Sequence, residues 1–164
     1  MITRIQVDSN YHLSQVTMND VDRIVNLIGD EEVSMNLLMV PFPYTRQDAI
    51  DFVEMVEDMK RKNGELSLFS IRNATGKVIG GIGRKRESDH TDEIGYWLGK
   101  PYWRQGIMSK VLNIYCDYCF KELGLKRIEA TIFDRNDASA RLLERNGFTK
   151  GEFLPAYYDK KGEI

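Results

Sequence analysis

The feature that most constrains the fold is the passage from a strand to a helix across a short loop, between residues 93 and 120. Glu93–Leu98 has the apolar and aromatic content of a strand, and Gln105–Phe120 has apolar residues at helical spacing. Gly106 stands where the helix begins, and the unpaired N–H groups of a first helical turn attract anions. A glycine there lets a phosphate approach the backbone. The segment therefore predicts a pyrophosphate site, although a tight turn without a ligand would explain the same residues.

The remaining chain predicts alternating strands and helices without linkers or repeats. Besides the strand and helix above, the predicted elements are strands at 11–16, 66–71, 77–83 and 127–133, helices at 21–28, after Thr45 and at 138–145, and an extended segment from Phe148. A run of neighbouring strands followed by a strand–helix–strand crossover implies a mixed sheet covered by helices. We expect an α/β (α+β) fold of about six strands and four helices, formed by residues 1–164 as a single domain.

Charge and composition exclude several classes of protein. The chain has 23 basic and 25 acidic residues, which does not favour a nucleic-acid partner. It has no apolar run of membrane-spanning length and no signal-peptide pattern at its start. Two cysteines cannot form a disulfide framework, so we expect a cytoplasmic protein. Residues 19–58 hold ten acidic and two basic side chains, which would favour a cationic ligand or form solvated helix faces.

Trp103–Met108 resembles the acetyl-CoA loop of the GCN5-related N-acetyltransferase (GNAT) superfamily, whose pattern is Gln/Arg-x-x-Gly-x-Gly/Ala. Gly106 matches the central glycine, whereas Trp103 and Met108 depart from the first and last positions. Tryptophan in the first position is similar to the RimJ/RimL-type subgroup of ribosomal-protein N-terminal acetyltransferases. In place of a small residue, Met108 is expected to push the diphosphate slightly outward.

A second segment carries the same resemblance more strongly. Asn136–Phe148 is similar to the family element Asn-x-x-Ser-x-x-x-x-Glu-x-x-Gly-Phe. A capped amphipathic helix would explain most of these residues, but not their place after the phosphate loop and the next strand. The resemblance covers about residues 10–160 and implies a mostly antiparallel, twisted sheet. It also implies a cleft for acyl-CoA where two central strands splay apart.

The resemblance assigns candidate residues to acetyl transfer from acetyl-CoA to a primary amine. Glu93 would be the base, with an exposed strand-edge carboxylate as the alternative. Ser139 would protonate the departing thiolate, with a purely local hydrogen bond as its alternative, and Tyr157 is a rival acid. Trp97 and Leu98 would offer backbone contacts to the pantetheine arm and the thioester. The implied residues for binding acetyl-CoA or CoA are Trp97, Leu98, Gly99, Trp103, Arg104, Gln105, Gly106, Ile107, Met108, Ser109, Asn136 and Ser139.

Three functional hypotheses follow. The first is a catalytic N-acetyltransferase acting on a protein or peptide N-terminus, a polyamine or another small amine. The second is a non-catalytic module that binds acyl-CoA or a partner, and the third is a scaffold that binds no CoA. We expect no metal, since Cys116 and Cys119 lie mid-helix without a second pair. An exposed sheet edge would favour a homodimer.

The end of the chain provides a separate expectation. Phe148–Tyr158 is similar to the sixth strand of the superfamily, and RimJ/RimL-type chains normally continue into one more strand. The sequence stops at Ile164, where that strand should start. We therefore expect these residues to be part of a longer chain, which an intact mass above about 19 kDa would support.

Overall fold

The computed structural model of the chain describes residues 2–37 and 40–151, which contain six strands and five α-helices. In chain order the elements are β1 (Arg4–Gln6), β2 (His12–Ser14), α1 (Val21–Ile28), α2 (Glu31–Ser34), α3 (Arg46–Asn63), β3 (Leu68–Arg72), β4 (Val78–Ser88), β5 (Thr91–Leu98), α4 (Ile107–Lys121), β6 (Arg127–Ala130) and α5 (Asp137–Arg145). None of the helices in the described ranges has both the length and the apolar character needed to cross a membrane.

The strands form one mixed sheet in the order β1-β2-β3-β4-β5-β6. Neighbours are antiparallel except β5 and β6, which pair in parallel. Parallel neighbours need a long crossover, and α4 provides it. The tight β3–β4 connection is closed by the Asn73 side chain, which accepts hydrogen bonds from the Thr75 and Lys77 amides. The predicted mixed sheet with flanking helices is confirmed.

Helix boundaries follow local capping chemistry. α3 starts directly after Thr45, as expected, and Thr45 and Asp48 form a reciprocal capping box there, with bonds of 3.1 Å and 2.8 Å between each side chain and the other residue's amide. Gly64 ends α3 in the left-handed conformation, at φ 71°. α1 ends at Ile28, as expected, and Gly29 follows it.

The structure differs from the expected element list at several strands. β1 and the one-turn helix α2 were not expected, since three or four residues are too few to show a period. β4 continues to Ser88 because its charged outer half pairs with β5 as a hairpin. β6 ends at Ala130 rather than residue 133. Residues 148–151 form no strand, and the rest of the predicted Phe148–Tyr158 strand lies outside the described residues.

The hydrophobic core joins the sheet to helices α1, α3 and α4. The largest fully buried side chains are Leu13, Val16, Val21, Ile24, Val53, Val56, Leu66, Ile71, Val78, Ile79, Leu112 and Tyr115. The Tyr115 hydroxyl is satisfied inside the core, because it donates to the Ser67 carbonyl over 3.1 Å. This core fixes β4 and β5 rigidly, and those strands carry the candidate site.

A buried ion pair ties the first part of the chain to the sheet. The Arg72 guanidinium donates to both carboxylate oxygens of Asp20, over 2.8 Å and 2.7 Å, and to the Ser14 hydroxyl over 2.7 Å. Both charged side chains are 11% exposed. Burial raises the pKa of Asp20, but hydrogen bonds from Arg72 and Thr17 outweigh burial, so the pKa lies below the usual 3.8.

This pair predicts part of the acid sensitivity of the fold. Because folding lowers the pKa of Asp20, its contribution is complete above the unfolded pKa and is lost as pH falls through the folded one. Asp20→Asn should cost about 1.5–3 kcal/mol of unfolding free energy at pH 7. The free energy of unfolding, measured with urea, should change less between pH 7 and pH 3 for the variant than for the wild type. Asp22→Asn, which alters a carboxylate 84% exposed, should leave that difference unchanged.

Candidate active site

Strands β5 and β6 separate halfway along β5. Their parallel pairing runs from Thr91 opposite Arg127 to Ile94 opposite Ala130. On its other side β5 stays paired with β4 as far as Leu98. Gly95–Leu98 therefore has an edge that no described strand pairs with. We call the opening between this edge and the chain after Ala130 the β5–β6 gap, and it is the predicted splay.

The register shows which amides face the β5–β6 gap. The Gly99 N–H donates to the Ile79 carbonyl of β4 over 2.8 Å. Hydrogen-bonding direction alternates along an antiparallel strand, so the Trp97 amide also faces β4. The Tyr96 and Leu98 amides therefore face the gap. The expectation that Trp97 supplies a backbone contact there is not met by this register, whereas Leu98 is suitably placed.

The turn after β5, residues 99–106, is called the phosphate turn here. Arg104 and Gly106 both have left-handed backbones, with φ of 62° and 76°. α4 starts directly after Gly106, so the first amides of the helix have no partner within it. A Cβ built at Gly106 meets no protein atom within 4 Å. The turn therefore presents helix N–H groups beside open space, an arrangement suited to an anion.

Some side chains of the phosphate turn and the start of α4 are exposed to solvent, and others pack against the protein. Arg104 and Gln105 are exposed, whereas Ile107 and Met108 are buried in the core. Because the Met108 side chain points inward, its size does not fill the space in front of the helix amides. The indole N–H of Trp103 donates to the Leu98 carbonyl over 2.7 Å, which ties the turn to the end of β5.

Contacts from the first third of the chain hold the phosphate turn in place. The Arg23 guanidinium bonds the Val78 carbonyl and the Tyr102 hydroxyl, each over 2.5 Å. Lys100 forms an ion pair with Glu32 of α2, at 2.5 Å between Nζ and the carboxylate. The hydrogen bond with Glu32 raises the pKa of Lys100. The charge of the exposed Lys100 is thus paired, whereas Arg104 is exposed and forms no ion pair with another described residue.

The start of α5 lies across the gap from β5. The Asn136 side chain caps the helix by accepting a bond from the Ser139 amide over 3.2 Å. The Ser139 hydroxyl is hydrogen-bonded to the hydroxyl of Tyr96. Arg135, just before the cap, donates to the Met35 carbonyl over 2.6 Å, linking this loop to the end of α2. The structure thus places Ser139, a site residue predicted from the sequence, in contact with β5.

Glu93 lies on the other face of β5 from Tyr96, because side chains alternate along a strand. It pairs with Lys85 of β4 and with Glu129 of β6. Burial raises the pKa of Glu93, and a hydrogen bond with Glu87 raises it further, while Lys85 opposes the shift. A half-buried carboxylate with a raised pKa is suited to accept a proton near neutral pH.

Five polar residues at the ends of α4 and α5 were largely missed from the sequence. They line an open depression of about 400 Å³ and are Ser109, Lys110, Asn113, Arg145 and Asn146. Asn146 closes one end by donating from its amide to the Ser109 hydroxyl over 3.2 Å. Only Ser109 was named beforehand. The signal for the others was their spacing, because residues 109, 110 and 113 share one side of the first helical turns.

Three other residues were named from the sequence, namely Tyr157, Cys116 and Cys119. Tyr157 lies outside the described residues. Cys116 and Cys119 are free, and burial raises the pKa of these thiols to about 11 and about 12, so both are protonated at neutral pH. Within residues 2–37 and 40–151 no three His, Cys, Asp or Glu side chains are grouped to hold a metal ion.

Comparison with known proteins agrees with the geometry. Residues 11–149 match the acetyltransferase (GNAT) domain family. An N-acetyltransferase of Bacillus licheniformis called p20, itself uncharacterized, is 32% identical over 93% of this chain and 86% of its own length. The ribosomal-protein-serine acetyltransferase of Escherichia coli K12 is 27% identical over 97% of this chain and 93% of its own.

A solved structure shows the same fold. RimL, described as a ribosomal L7/L12 alpha-N-protein acetyltransferase in complex with coenzyme A, superposes with a TM-score of 0.83. It is 18% identical, and the match covers 98% of this chain and 92% of RimL. With the family match over most of its length, the chain belongs to the GNAT family of acetyltransferases.

Proposed function

We propose that this acetyltransferase carries an acetyl group from acetyl-CoA to a primary amine, with Glu93 and Ser139 handling the protons. The observation that carries the proposal is the continuity of three features along one line. The open edge of β5 leads directly into the phosphate turn, which in turn leads to the polar depression at the ends of α4 and α5. A long ligand with amides, a diphosphate and a phosphorylated nucleoside suits that line.

The edge of β5, the phosphate turn and the polar depression each offer groups that can bind one part of such a ligand. The Tyr96 and Leu98 amides can pair with an extended arm as a neighbouring strand would. The first amides of α4, with Arg104, favour a diphosphate. Lys110 and Arg145 beside the depression favour a further phosphate. Acetyl-CoA supplies the activated acetyl group when bound, as a thioester.

The two candidate proton-transfer residues lie on opposite faces of β5. Glu93 on one face would take a proton from the ammonium form of the acceptor, because only a neutral amine is a nucleophile. The amine nitrogen then forms a bond to the carbonyl carbon and loses its second proton to solvent, while a gap-facing amide stabilises the oxyanion. The carbon–sulfur bond breaks, and Ser139 on the other face gives a proton to the thiolate. Entry of the amine and departure of the thiol thus use different sides of the strand.

The acceptor is proposed only as a class. The similarity to acetyltransferases of ribosomal proteins supports a protein N-terminus, and the acidic residues of the 19–58 segment support a cationic amine of any size. We also propose a cytoplasmic location, which the two free thiols support.

The test is a coupled assay of CoA release. Acetyl-CoA is offered with a panel of amino acids, polyamines, aminoglycosides and short peptides, and the freed thiol is measured. We expect turnover with at least one amine. A thermal shift with CoA but no turnover with any amine would support the non-catalytic module, and calorimetry without CoA binding would support the scaffold.

The phosphate turn has a test of its own. Gly106→Val places a β-branched residue at a positive φ and fills the space beside the helix amides, so the Kd for CoA should rise at least about tenfold. Gly76→Val is the matched control, because Gly76 has a φ of 82° and equally open surroundings in a distant hairpin. Calorimetry that gives the same Kd for both variants would contradict the assignment of the phosphate turn.

A further inference from the structure

Two hydroxyl groups meet across the β5–β6 gap. The Tyr96 phenol, on β5, and the Ser139 hydroxyl, in the first turn of α5, are hydrogen-bonded to each other. Ser139 is 8% exposed, and Tyr96 is half-buried. No other described side chain is hydrogen-bonded to either hydroxyl, so each determines the orientation of the other.

Tyr96 and Ser139 are also fixed by the contacts of their backbones. The Ser139 amide is fixed by the Asn136 cap over 3.2 Å, which sets the first turn of α5. Tyr96 sits in the β4–β5 ladder opposite Ile82, a fully packed core residue. Neither backbone can move far without breaking a cap or a ladder, so the contact between the two hydroxyls is preorganised.

We propose that Tyr96 is a positioning residue for acetyl transfer: its phenol O–H donates to Ser139 Oγ and so directs the Ser139 proton towards the gap. A serine hydroxyl that accepts one hydrogen bond keeps its own proton for a different acceptor. In the gap that acceptor is the departing thiolate, so the inference rests on the proposed function. As Ser139 gives its proton to sulfur, the Tyr96 bond stabilises the oxygen left behind, and solvent then restores the proton.

The protonation state of Tyr96 agrees with this role. Burial raises the pKa of Tyr96, and the bond with Ser139 only partly offsets burial. The phenol therefore stays protonated, and remains a donor, at neutral pH.

The test removes one hydroxyl at a time. Tyr96→Phe should lower kcat about 3- to 10-fold, while the KM for acetyl-CoA stays within twofold, because only a hydrogen bond to the proton donor is lost. Ser139→Ala should lower kcat further. The double variant should be no slower than Ser139→Ala alone, since Tyr96 acts only through Ser139. Tyr118→Phe is the matched control and should leave both constants unchanged, because the Tyr118 ring packs against Phe69 of β3 and Tyr115 of α4.

A rescue variant separates this role from simple support of the fold. Ser139→Thr keeps a hydroxyl and should retain more activity than Ser139→Ala, but only while Tyr96 is present. Additive losses in the double variant, or a change confined to KM, would overturn the positioning role while leaving acetyl transfer intact. Equal activity of Ser139→Thr and Ser139→Ala would by itself overturn the positioning role of Tyr96. A wild-type protein that acetylates no amine would instead remove the proposed function, and this inference with it.

Discussion

Glu93→Gln is expected to lower kcat by about 10²- to 10⁴-fold, the range usual for loss of a general base. The amide keeps the size and shape of the carboxylate but cannot accept a proton from the acceptor amine. CoA contacts lie along the gap and the phosphate turn rather than at this side chain, so the Kd for CoA should stay within twofold. Steady-state rates with the best amine of the panel, together with calorimetry, would measure both quantities.

The same residue predicts the acid side of the pH–rate profile. Because burial and Glu87 raise the pKa of Glu93 above 4.5, the carboxylate gains a proton and loses its function as base at a higher pH than an ordinary glutamate. Glu87→Gln should therefore move the acid limb of kcat/KM to lower pH. It should leave the plateau rate largely unchanged.

A neighbouring glutamate provides the control. Glu129 of β6 is paired with Glu93 of β5 and points to the same face of the sheet. It forms an ion pair with Arg127 over 2.8 Å. Glu129→Gln removes a similar charge without removing the base, so kcat should stay within about threefold. Unchanged rates in Glu93→Gln would reassign the base and leave the fold and the phosphate turn as described.

Arg84→Met should be the most destabilising single change, with a loss of about 3–5 kcal/mol of unfolding free energy. The Arg84 guanidinium is 8% exposed and contacts Asp92, 3% exposed, over 2.9 Å. It also forms an ion pair with Glu65 over 3.1 Å. The variant would leave the Asp92 carboxylate buried without its cation, which is far more costly than losing an exposed pair. Urea unfolding followed by circular dichroism measures the loss.

A second substitution tests the cause. Arg84→Met combined with Asp92→Leu removes both buried charges, so much of the lost stability should return. Arg86→Met is the control, because that side chain is 72% exposed and its distance to Asp89 is 3.8 Å. A loss below about 1 kcal/mol for Arg84→Met would show that water reaches the pair. Since Asp92 precedes Glu93 in β5, this ion pair also fixes the strand that presents the proposed base.

Local sequence chemistry predicted the elements that depend on neighbouring residues. The start of α3 follows from Thr45 and Asp48, because caps act within four residues. The start of α4 at Gly106 follows in the same way. The family element at 136–148 likewise located Asn136 and Ser139 on one short helix.

Features that depend on distant pairing do not follow from local patterns, and the splay between two central strands was expected only from the family resemblance. The β5–β6 gap exists because pairing ends at Ile94 and Ala130, although both strands continue with apolar residues. The direction of the β5 amides depends on the register with β4, which the sequence pattern does not contain, so Trp97 was expected beside Leu98 as a backbone contact. The Tyr96–Ser139 contact joins residues 43 positions apart, and no local rule couples them.

The open edge of β5 also bears on how the protein avoids self-association. Unpaired strand edges are sites where chains stack and aggregate, and proteins protect them by keeping them short or covered. This edge is only four residues long, Gly95–Leu98, and lies inside the sheet, between the paired part of β6 and the phosphate turn. So short an edge offers a strand from another molecule few backbone hydrogen bonds, whereas a ligand arm bearing two amide groups can use all of it.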